Sequence, residues 1–395
     1  MKRNNMIIFF TILLLISITL YAFVPHVPAT QKEVESVAEL ETYLNQLTAS
    51  GNPPGLSVVV VKDGEIFYNN AFGVADGPHK IKATPETVYH WWSMTKIPTA
   101  IAIMQLQEQG KIKLDDEVTK HLPWFEVTYP SGDSPAITIR HLMQHTSGLP
   151  NPVPAMIGWV HYDDATPNQT EVLKKYLPEF NNVKFEPGSK AIYGNLNYMV
   201  LGAVIEAVSG QTYEEYILEN ILAPLGMTQT NFVYTSDMSM HEAAGSIPLV
   251  HFFTPLLPTL LDTDALVRER DGKLLWMNRV YIEATPSTGL IGPASDAAKL
   301  MLAYLNRGTL NGQLILSPES ISTLTNTPPI NGRGLGWAVG ESNGELYLEH
   351  GGGGPGFAAT MRLYPESGLG IVILANGTDL DRDGLADLLK TLNYQ

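Results

Sequence analysis

The sequence contains no cysteine and is short of basic residues, and both absences narrow what the protein can do. With 395 residues and no cysteine, the chain can form no disulfide, no thiolate nucleophile and no cysteine-ligated metal site. Its 25 lysines and arginines are outnumbered by 40 aspartates and glutamates, which gives a formal net charge of −15. Nucleic acid and anionic lipid are both bound through basic patches, so the composition argues against either as a partner. Hydrophobic residues make up 44% of the chain, enough for a large globular core.

The N-terminus combines two positive charges with a long uncharged run. Lys2 and Arg3 precede an uncharged segment at residues 6–24, and Pro25 follows it. This pattern is typical of an export signal, and its length is close to the minimum for a membrane-spanning helix. We therefore predict an exported protein that residues 6–24 anchor in the membrane, with the remainder outside the cytoplasm. The alternative is a cleaved signal and a secreted or periplasmic protein; in either case residues 1–31 comprise this segment and a linker.

Strand patterns occur near both ends of the chain, and helical patterns dominate its middle. Near the N-terminus, two strand-like runs flank Asp63-Gly64, a turn dipeptide typical of a β-hairpin. Strands punctuated by glycine and asparagine return after residue 336, and a closing helix is predicted at 379–392. This order predicts an α/β (α+β) fold, with one antiparallel sheet built from both chain ends, flanked by helices and carrying a large, mainly helical insertion. The predicted hydrolase domain covers 32–395, with a sheet subdomain at about 32–92 and 290–395 and a helical subdomain at about 93–289.

A Ser-x-x-Lys tetrapeptide opens a predicted buried helix. Ser93 and Lys96 are three residues apart, so on a helix they share one face, where the amine can activate the hydroxyl as a nucleophile. The apolar run that follows ends at Gly110, a residue typical of helix C-termini. A serine in the first helical turn is also near the positive end of the helix dipole, which favours an oxyanion. Taken alone, the tetrapeptide is equally compatible with an ordinary helix start and an exposed lysine.

Two further segments could bring the groups that a serine nucleophile needs. Tyr193-Gly194-Asn195 precedes a helix predicted to begin near Asn197, a place from which side chains project into a cleft. Directly after a predicted strand comes the run from His350 to Gly354, whose glycines allow close approach to a ligand and expose backbone N–H groups. Neither segment is specific alone, because Tyr-x-Asn recurs elsewhere in the chain.

Taken in order, Ser93-x-x-Lys96, Tyr193-x-Asn195 and His350-x-Gly352 resemble the three active-site motifs of the serine β-lactamase-related family. This family includes class C β-lactamases, D-Ala-D-Ala carboxypeptidases, esterases and D-aminopeptidases. The similarity spans about residues 56–377. It implies that Ser93 is the acyl-forming nucleophile, Lys96 the amine that lowers its proton affinity, and Tyr193 the phenol that shuttles protons. Whether Lys96 or Tyr193 is the acylation base stays open.

The resemblance also implies how a substrate is held. Asn195 would orient the acyl chain and Lys96, and the third motif, with His350, Gly352 and Gly353, would line the substrate site. The N–H groups of Ser93 and Gly353 would form the oxyanion hole.

The third motif departs from the β-lactamase pattern, which usually has lysine where this chain has His350. A lysine would hold a substrate carboxylate, whereas histidine is largely neutral at pH 7. We therefore predict an exported serine hydrolase with an acyl-enzyme on Ser93, an esterase or a peptidase or amidase rather than an efficient β-lactamase. The alternatives are a true β-lactamase or D-Ala-D-Ala carboxypeptidase, and a catalytically silent binding protein on the same scaffold. The substrate would be a small ester, a peptide or a cell-wall fragment.

No cofactor, metal ion or obligate protein partner is expected. His141 and His145 have the spacing of a metal pair, but Leu142 stands where a zinc hydrolase needs glutamate, so structural roles are predicted. An α/β-hydrolase is disfavoured because the chain has no Gly-x-Ser-x-Gly elbow. The uncharged, proline-containing segment from Ile247 to Leu261 is predicted to be either a buried loop or an apolar flap beside the substrate site or the membrane.

Overall fold

The computed structural model describes residues 31, 33–152, 156–249, 251, 254 and 262–394. The predicted export segment at residues 6–24 lies outside the described residues. In the part of the chain that is described, no helix combines the length and the apolar character needed to cross a bilayer.

Short and long strands and helices alternate along the described residues. The strands are β1 (Gly55–Lys62), β2 (Glu65–Asp76), β3 (Ile81–Lys82), β4 (Tyr89–His90), β5 (Val160–His161), β6 (Ser246–Pro248), β7 (Val267–Asp271), β8 (Leu274–Met277), β9 (Tyr281–Ile282), β10 (Ile291–Gly292), β11 (Thr309–Leu310), β12 (Gln313–Leu314), β13 (Ala338–Ser342), β14 (Glu345–Gly354), β15 (Phe357–Tyr364) and β16 (Leu369–Ala375). The α-helices are α1 (Val37–Ala49), α2 (Lys96–Glu108), α3 (Val118–His121), α4 (Ile139–Met143), α5 (Gln169–Tyr176), α6 (Asn195–Ser209), α7 (Tyr213–Ile217), α8 (Ser236–Ser239), α9 (Thr263–Leu266), α10 (Thr285–Thr288), α11 (Ala294–Leu305), α12 (Pro318–Asn326) and α13 (Arg382–Lys390). Tighter 3₁₀ turns lie at Trp92–Thr95, Ile157–Trp159 and Leu177–Glu179, and a π-helical turn at Leu218–Leu222.

Seven strands form the main sheet in the order β13-β14-β15-β16-β1-β2-β3, and every pairing in it is antiparallel. β1 pairs with β16, so the two ends of the chain meet inside one sheet. The predicted antiparallel sheet built from both ends is therefore confirmed. Between β1 and β2, Asp63 and Gly64 have φ angles of 52° and 84°, as a two-residue hairpin turn with both central residues left-handed requires.

Alternation along β1 supplies a hydrophobic core on each face of the sheet. Val58 and Val60 belong to the core beneath α1 and α13. Val59 and Val61 belong to the larger core on the opposite face, which includes α2, α6 and α11. The result is a sheet between two helical layers, and the larger layer carries the elements that surround Ser93.

The middle of the chain contains more strand than the sequence predicted. Six of the strands, β5 to β10, lie between α4 and α11, and β6, β8 and β7 form a small sheet of their own. The prediction of a loop or flap from Ile247 to Leu261 is wrong at its start, because Ile247 and Pro248 pair with β8. A proline is tolerated there because β6 is an edge strand. Most of the remaining segment lies outside the described residues.

Candidate active site

Ser93 lies in the 3₁₀ turn Trp92–Thr95, directly before α2 begins at Lys96. The prediction that Ser93 opens the α-helix itself is therefore wrong by one tight turn. Trp92 has a φ of 47°, a left-handed conformation that bulky residues rarely adopt and that is often found near functional groups. Thr95 Oγ1 fixes the turn, because it donates to the carbonyl of Trp92 at 2.7 Å and accepts the N–H of Leu290 at 3.0 Å. The turn leaves the Ser93 side chain half-buried.

Tyr193 contacts the Ser93 hydroxyl directly. Its Oη donates a hydrogen bond to Ser93 Oγ over 2.8 Å, and it also lies 3.5 Å from Asn195 Oδ1. Burial raises the pKa of Tyr193 to about 12, although the Ser93 hydroxyl and the Arg333 guanidinium act in the opposite direction. The phenol therefore keeps its proton near neutral pH and approaches Ser93 as a donor.

Lys96 is fully buried, and two oxygen atoms hold its amine. Nζ donates to Asn195 Oδ1 and to the carbonyl of Ser287 in α10, each over 2.8 Å. Burial, and secondarily the positive charge of Arg333, lowers the pKa of Lys96 well below its usual 10.5. A neutral amine has two N–H groups and one lone pair, so these two bonds leave the lone pair as a proton acceptor. Ser93 Oγ is not among the hydrogen-bond partners of Nζ in the described residues, which corrects the expectation that the two side chains meet directly.

The glycine-rich run of the third motif forms part of a strand, not a loop after one. β14 extends to Gly354 and pairs with β15 along that length, whereas its pairing with β13 ends at Glu349. Beyond Glu349, the free edge of β14 packs against the turn that carries Ser93. A Cβ at Gly352 would lie 2.0 Å from the Trp91 carbonyl oxygen, and one at Gly354 would lie 2.6 Å from the Trp92 ring. Glycine at these positions is what allows the strand to approach the nucleophile turn.

His350 enters this site as a neutral ring. It is buried, and burial together with the charge of Lys96 lowers its pKa to about 3. Its Nδ1 lies 3.0 Å from the carbonyl oxygen of Gly351. Because a carbonyl only accepts, Nδ1 carries the proton and Nε2 remains an acceptor. The prediction that this histidine lacks a lysine's positive charge agrees with this environment.

Arg333 is a charged residue beside the site that the sequence analysis missed. Its guanidinium lies over the Tyr193 ring, 5.1 Å from the ring centroid, and its side chain is half-buried. The loop that carries it is tied to the Tyr193 loop, because Asn331 Oδ1 accepts the N–H of Ala191 at 3.1 Å. None of the ion pairs found among the described residues involves Arg333. A single arginine in an irregular loop carries no pattern by which a sequence reading could have found it.

His145 supports the Tyr193 loop from beneath. Its ring lies 4.6 Å from the Tyr193 ring, and its Nδ1 accepts the N–H of Gly194 at 3.2 Å. Its neighbour in the proposed pair, His141, instead takes part in the cap of α4, where its Nδ1 accepts the N–H of Thr138. The two histidines therefore have separate packing roles, as the missing glutamate at position 142 led us to expect.

The fold and the site together define a class of protein. An antiparallel sheet between helical layers, with a serine turn facing a lysine and a tyrosine beside a free strand edge, is the architecture of the serine β-lactamases and penicillin-binding proteins. A family model described as Beta-lactamase matches residues 40–394, and the chain belongs to this family. The resemblance drawn from the three motifs is thereby confirmed.

Individual relatives cover most of the chain. It is 30% identical over 364 residues to Protein flp of Staphylococcus aureus (strain N315), an alignment that covers 91% of this chain and 66% of flp. It is 29% identical over 343 residues to a putative D-alanyl-D-alanine carboxypeptidase of Escherichia coli O157:H7, covering 78% of this chain and 72% of that protein. The octameric penicillin-binding protein homologue from Pyrococcus abyssi has a TM-score of 0.73 and 28% identity, covering 91% of this chain and 78% of that one. The alignment thus spans just under two thirds of the length of flp. Family membership supports a serine hydrolase in general.

Proposed function

We propose that this protein is a serine hydrolase that forms an acyl-enzyme on Ser93, with Tyr193 as the proton relay. The observation that carries the proposal is the 2.8 Å hydrogen bond between Tyr193 Oη and Ser93 Oγ. A serine nucleophile needs a partner within hydrogen-bond reach that can exchange its proton, and this phenol is so placed. The neutral, buried amine of Lys96 lies behind the pair, 5.0 Å from the Tyr193 ring centroid.

The proposed reaction has two steps in which the phenol ends as it began. In acylation, Ser93 Oγ attacks the substrate carbonyl and passes its proton to Tyr193 Oη, while Tyr193 gives its own proton to the leaving oxygen or nitrogen. In deacylation, water attacks the Ser93 ester and its proton returns through the phenol to Ser93 Oγ. Because the relay exchanges one proton for another, it needs no stable phenolate, which agrees with the raised pKa of Tyr193. Lys96 holds Asn195 in place and offers its lone pair as a second acceptor.

The oxyanion of the tetrahedral intermediate would be held by the N–H groups of Ser93 and Gly353. The first belongs to the strained turn and the second to the free edge of β14 that packs against that turn. Such fixed donors typically supply about 3–4 kcal/mol each to the transition state.

Esters and amides are the proposed substrates, in preference to β-lactams. A neutral His350 provides no cation within the third motif for the carboxylate of a β-lactam. Arg333 favours a second candidate, a D-Ala-D-Ala carboxypeptidase, because its unpaired guanidinium could meet a terminal carboxylate beside Tyr193. The name of the Escherichia coli relative agrees with that candidate.

Covalent labelling tests the acyl-enzyme. A fluorophosphonate probe should add one adduct to the wild-type protein, read by intact mass, and none to Ser93→Ala. Ser189→Ala, which removes an exposed serine near the Tyr193 loop, should label like the wild type. Labelling that persists in Ser93→Ala would overturn the assignment, and a wild-type protein inert to fluorophosphonate and penicillin probes alike would indicate the silent binding protein.

A substrate panel separates the two candidate activities. Wild-type protein would be assayed with a neutral p-nitrophenyl ester, a D-amino acid amide, a peptide ending in D-Ala-D-Ala and a chromogenic cephalosporin. Turnover of the ester or amide well above that of the cephalosporin is expected. Release of D-alanine as the fastest reaction would instead identify the carboxypeptidase.

The cellular place of this activity is proposed from the sequence alone. The charged and apolar N-terminal segment supports export, with the hydrolase outside the cytoplasm. Membrane fractionation with an immunoblot for a mass shift would separate an anchored protein from a cleaved one.

A further inference from the structure

The glycines of the third motif alternate between two neighbours, because successive residues of a strand face opposite sides of a sheet. Gly352 and Gly354 face the nucleophile turn, as described above. Gly351 and Gly353 face Arg382, whose Nη1 would lie 3.0 Å and 3.6 Å from a Cβ at these two positions. Arg382 is the first residue of α13, on the opposite side of the sheet from Ser93. The guanidinium therefore lies against the back of the motif.

Arg382 binds the backbone of the motif. Its Nη1 donates to the carbonyl oxygen of Gly352 at 2.5 Å and to that of Ala359 at 3.1 Å. Gly352 and Ala359 are direct partners in the register of β14 and β15. One nitrogen can reach both oxygens only if each carbonyl is directed toward the space between the two strands. In the described residues no carboxylate forms an ion pair with Arg382, so the positive charge is directed at these carbonyls.

The direction of the Gly352 carbonyl fixes the direction of the next N–H. In a trans peptide the carbonyl of one residue and the N–H of the following residue point opposite ways. Since Gly352 O points toward β15, the Gly353 N–H points toward the other edge of β14. That edge has no partner from β13 beyond Glu349 and faces the Ser93 turn.

We infer that Arg382 is a positioning residue for the oxyanion hole, which fixes the Gly352–Gly353 peptide and strengthens Gly353 N–H as a donor. A cationic donor on a carbonyl polarises the whole amide, and hydrogen bonds in series reinforce one another. Arg382 touches neither substrate nor Ser93 and acts through this one peptide. The inference rests on the proposed acyl-enzyme mechanism and adds to it a residue from the C-terminal helix, about 30 positions beyond the motif.

The test compares Arg382→Ala and Arg382→Lys with Lys390→Ala in the protein as it exists. Lys390 is the matched control, because it is a cation of the same helix that donates to a backbone carbonyl of β13, that of Ser342, at 2.8 Å. Three quantities are measured: kcat and KM for an ester substrate, the infrared stretch of the acyl-enzyme carbonyl, and the thermal midpoint. The carbonyl stretch reports the strength of the oxyanion-hole hydrogen bonds independently of the turnover rate.

Arg382→Ala is expected to lower kcat about tenfold with little change in KM, less than the 10²–10³-fold lost when a donor is removed outright. Its acyl carbonyl stretch should move to higher frequency, and added guanidinium ion should restore part of the rate. Arg382→Lys should lie between wild type and Arg382→Ala, and Lys390→Ala should match the wild type in kcat and stretch.

Two results would overturn the inference. One is an unchanged kcat and carbonyl stretch in Arg382→Ala. The other is a loss of kcat that follows the thermal midpoint in all three variants while the stretch stays fixed, which would indicate a purely structural bridge between β14 and β15. If Arg382→Ala fails to fold, Arg382→Lys with its stretch decides between these outcomes. Failure of the proposed function is distinguishable, because the wild-type protein would then form no acyl-enzyme at all.

Discussion

Alanine in place of Gly352 would change how closely β14 approaches the turn that carries Ser93. The added Cβ would stand 2.0 Å from the carbonyl oxygen of Trp91 and 3.2 Å from Cβ of Trp92. The Trp91 carbonyl has no room to yield, because Trp91 is fully buried and its oxygen accepts the N–H of Met94 at 3.1 Å within the same turn. The strand must therefore move away from the nucleophile.

The size of that movement sets the expected loss. Carbon and oxygen atoms that are not bonded need about 3.2 Å, so the strand must retreat by about 1.2 Å. A misplacement of about 1 Å in a catalytic constellation costs about 10²-fold in rate. We expect kcat/KM for ester hydrolysis to fall by about that factor, with a loss of about 1–3 kcal/mol in unfolding free energy from overpacking.

Gly353→Ala is the comparison variant, because it adds the same methyl group one residue further on. Its Cβ points to the other face of the strand, where its nearest neighbour is Arg382 Nη1 at an ordinary 3.6 Å. Acylation rates from stopped-flow bursts and unfolding free energies from urea titrations would be measured for both variants. If Gly352→Ala acylated within about threefold of Gly353→Ala, the close approach of β14 to the Ser93 turn would be wrong.

Three further substitutions test the relay, the cation and the acid stability of the fold. Tyr193→Phe removes the proposed relay and should lower kcat by about 10²–10⁴-fold; an unchanged kcat in a steady-state ester assay would exclude the phenol from the mechanism. Arg333→Gln should raise KM about tenfold for a carboxylate-bearing ester and leave its neutral analogue unchanged, and equal changes for both esters would rule out a charge effect. Burial lowers the pKa of His90 to about 3, below its ordinary 6.5, so the unfolded chain takes up this proton first as the pH falls. Between about pH 8 and pH 5 the folded state should lose about 2 kcal/mol through His90. His90→Phe, which can keep the ring contacts with Trp92 and Phe357, should retain that stability in urea titrations, and equal losses in both proteins would contradict the assignment.

The sequence predicts those parts of the fold in which local pattern and tertiary packing agree. The β1–β2 hairpin is recognisable because Asp63-Gly64 is a dipeptide that tolerates two left-handed residues. The end of α2 is recognisable because Gly110, at a φ of 71°, follows the last helical turn. The two-residue strands β4 and β10 are not recognisable, since pairing across about 200 residues leaves no local period.

The site shows the same division at the level of single residues. The three motifs identify Ser93, Lys96 and Tyr193, and the structure brings them together. Which of them touch was not predictable, because the contact depends on a strained turn before the helix and on two oxygen atoms that hold the amine. Arg333 and Arg382 were not predictable either, since each reaches the site through tertiary contacts of one side chain.

The arrangement of charge around Ser93 has a physical reason that concerns His350. A lysine at this position would place a second ammonium beside Lys96 in a space that excludes water, and each charge would disfavour the other. Neutral His350 avoids this conflict, and the positive charge lies instead on Arg333, which is half-buried and faces Tyr193 from outside. Lys96 can then stay neutral, and its lone pair stays available, while a cation is still present where a substrate would enter. A substrate carboxylate would therefore be met on the Tyr193 side of the cleft, so selectivity between esters, amides and carboxylate-bearing peptides should depend on Arg333 more than on the third motif.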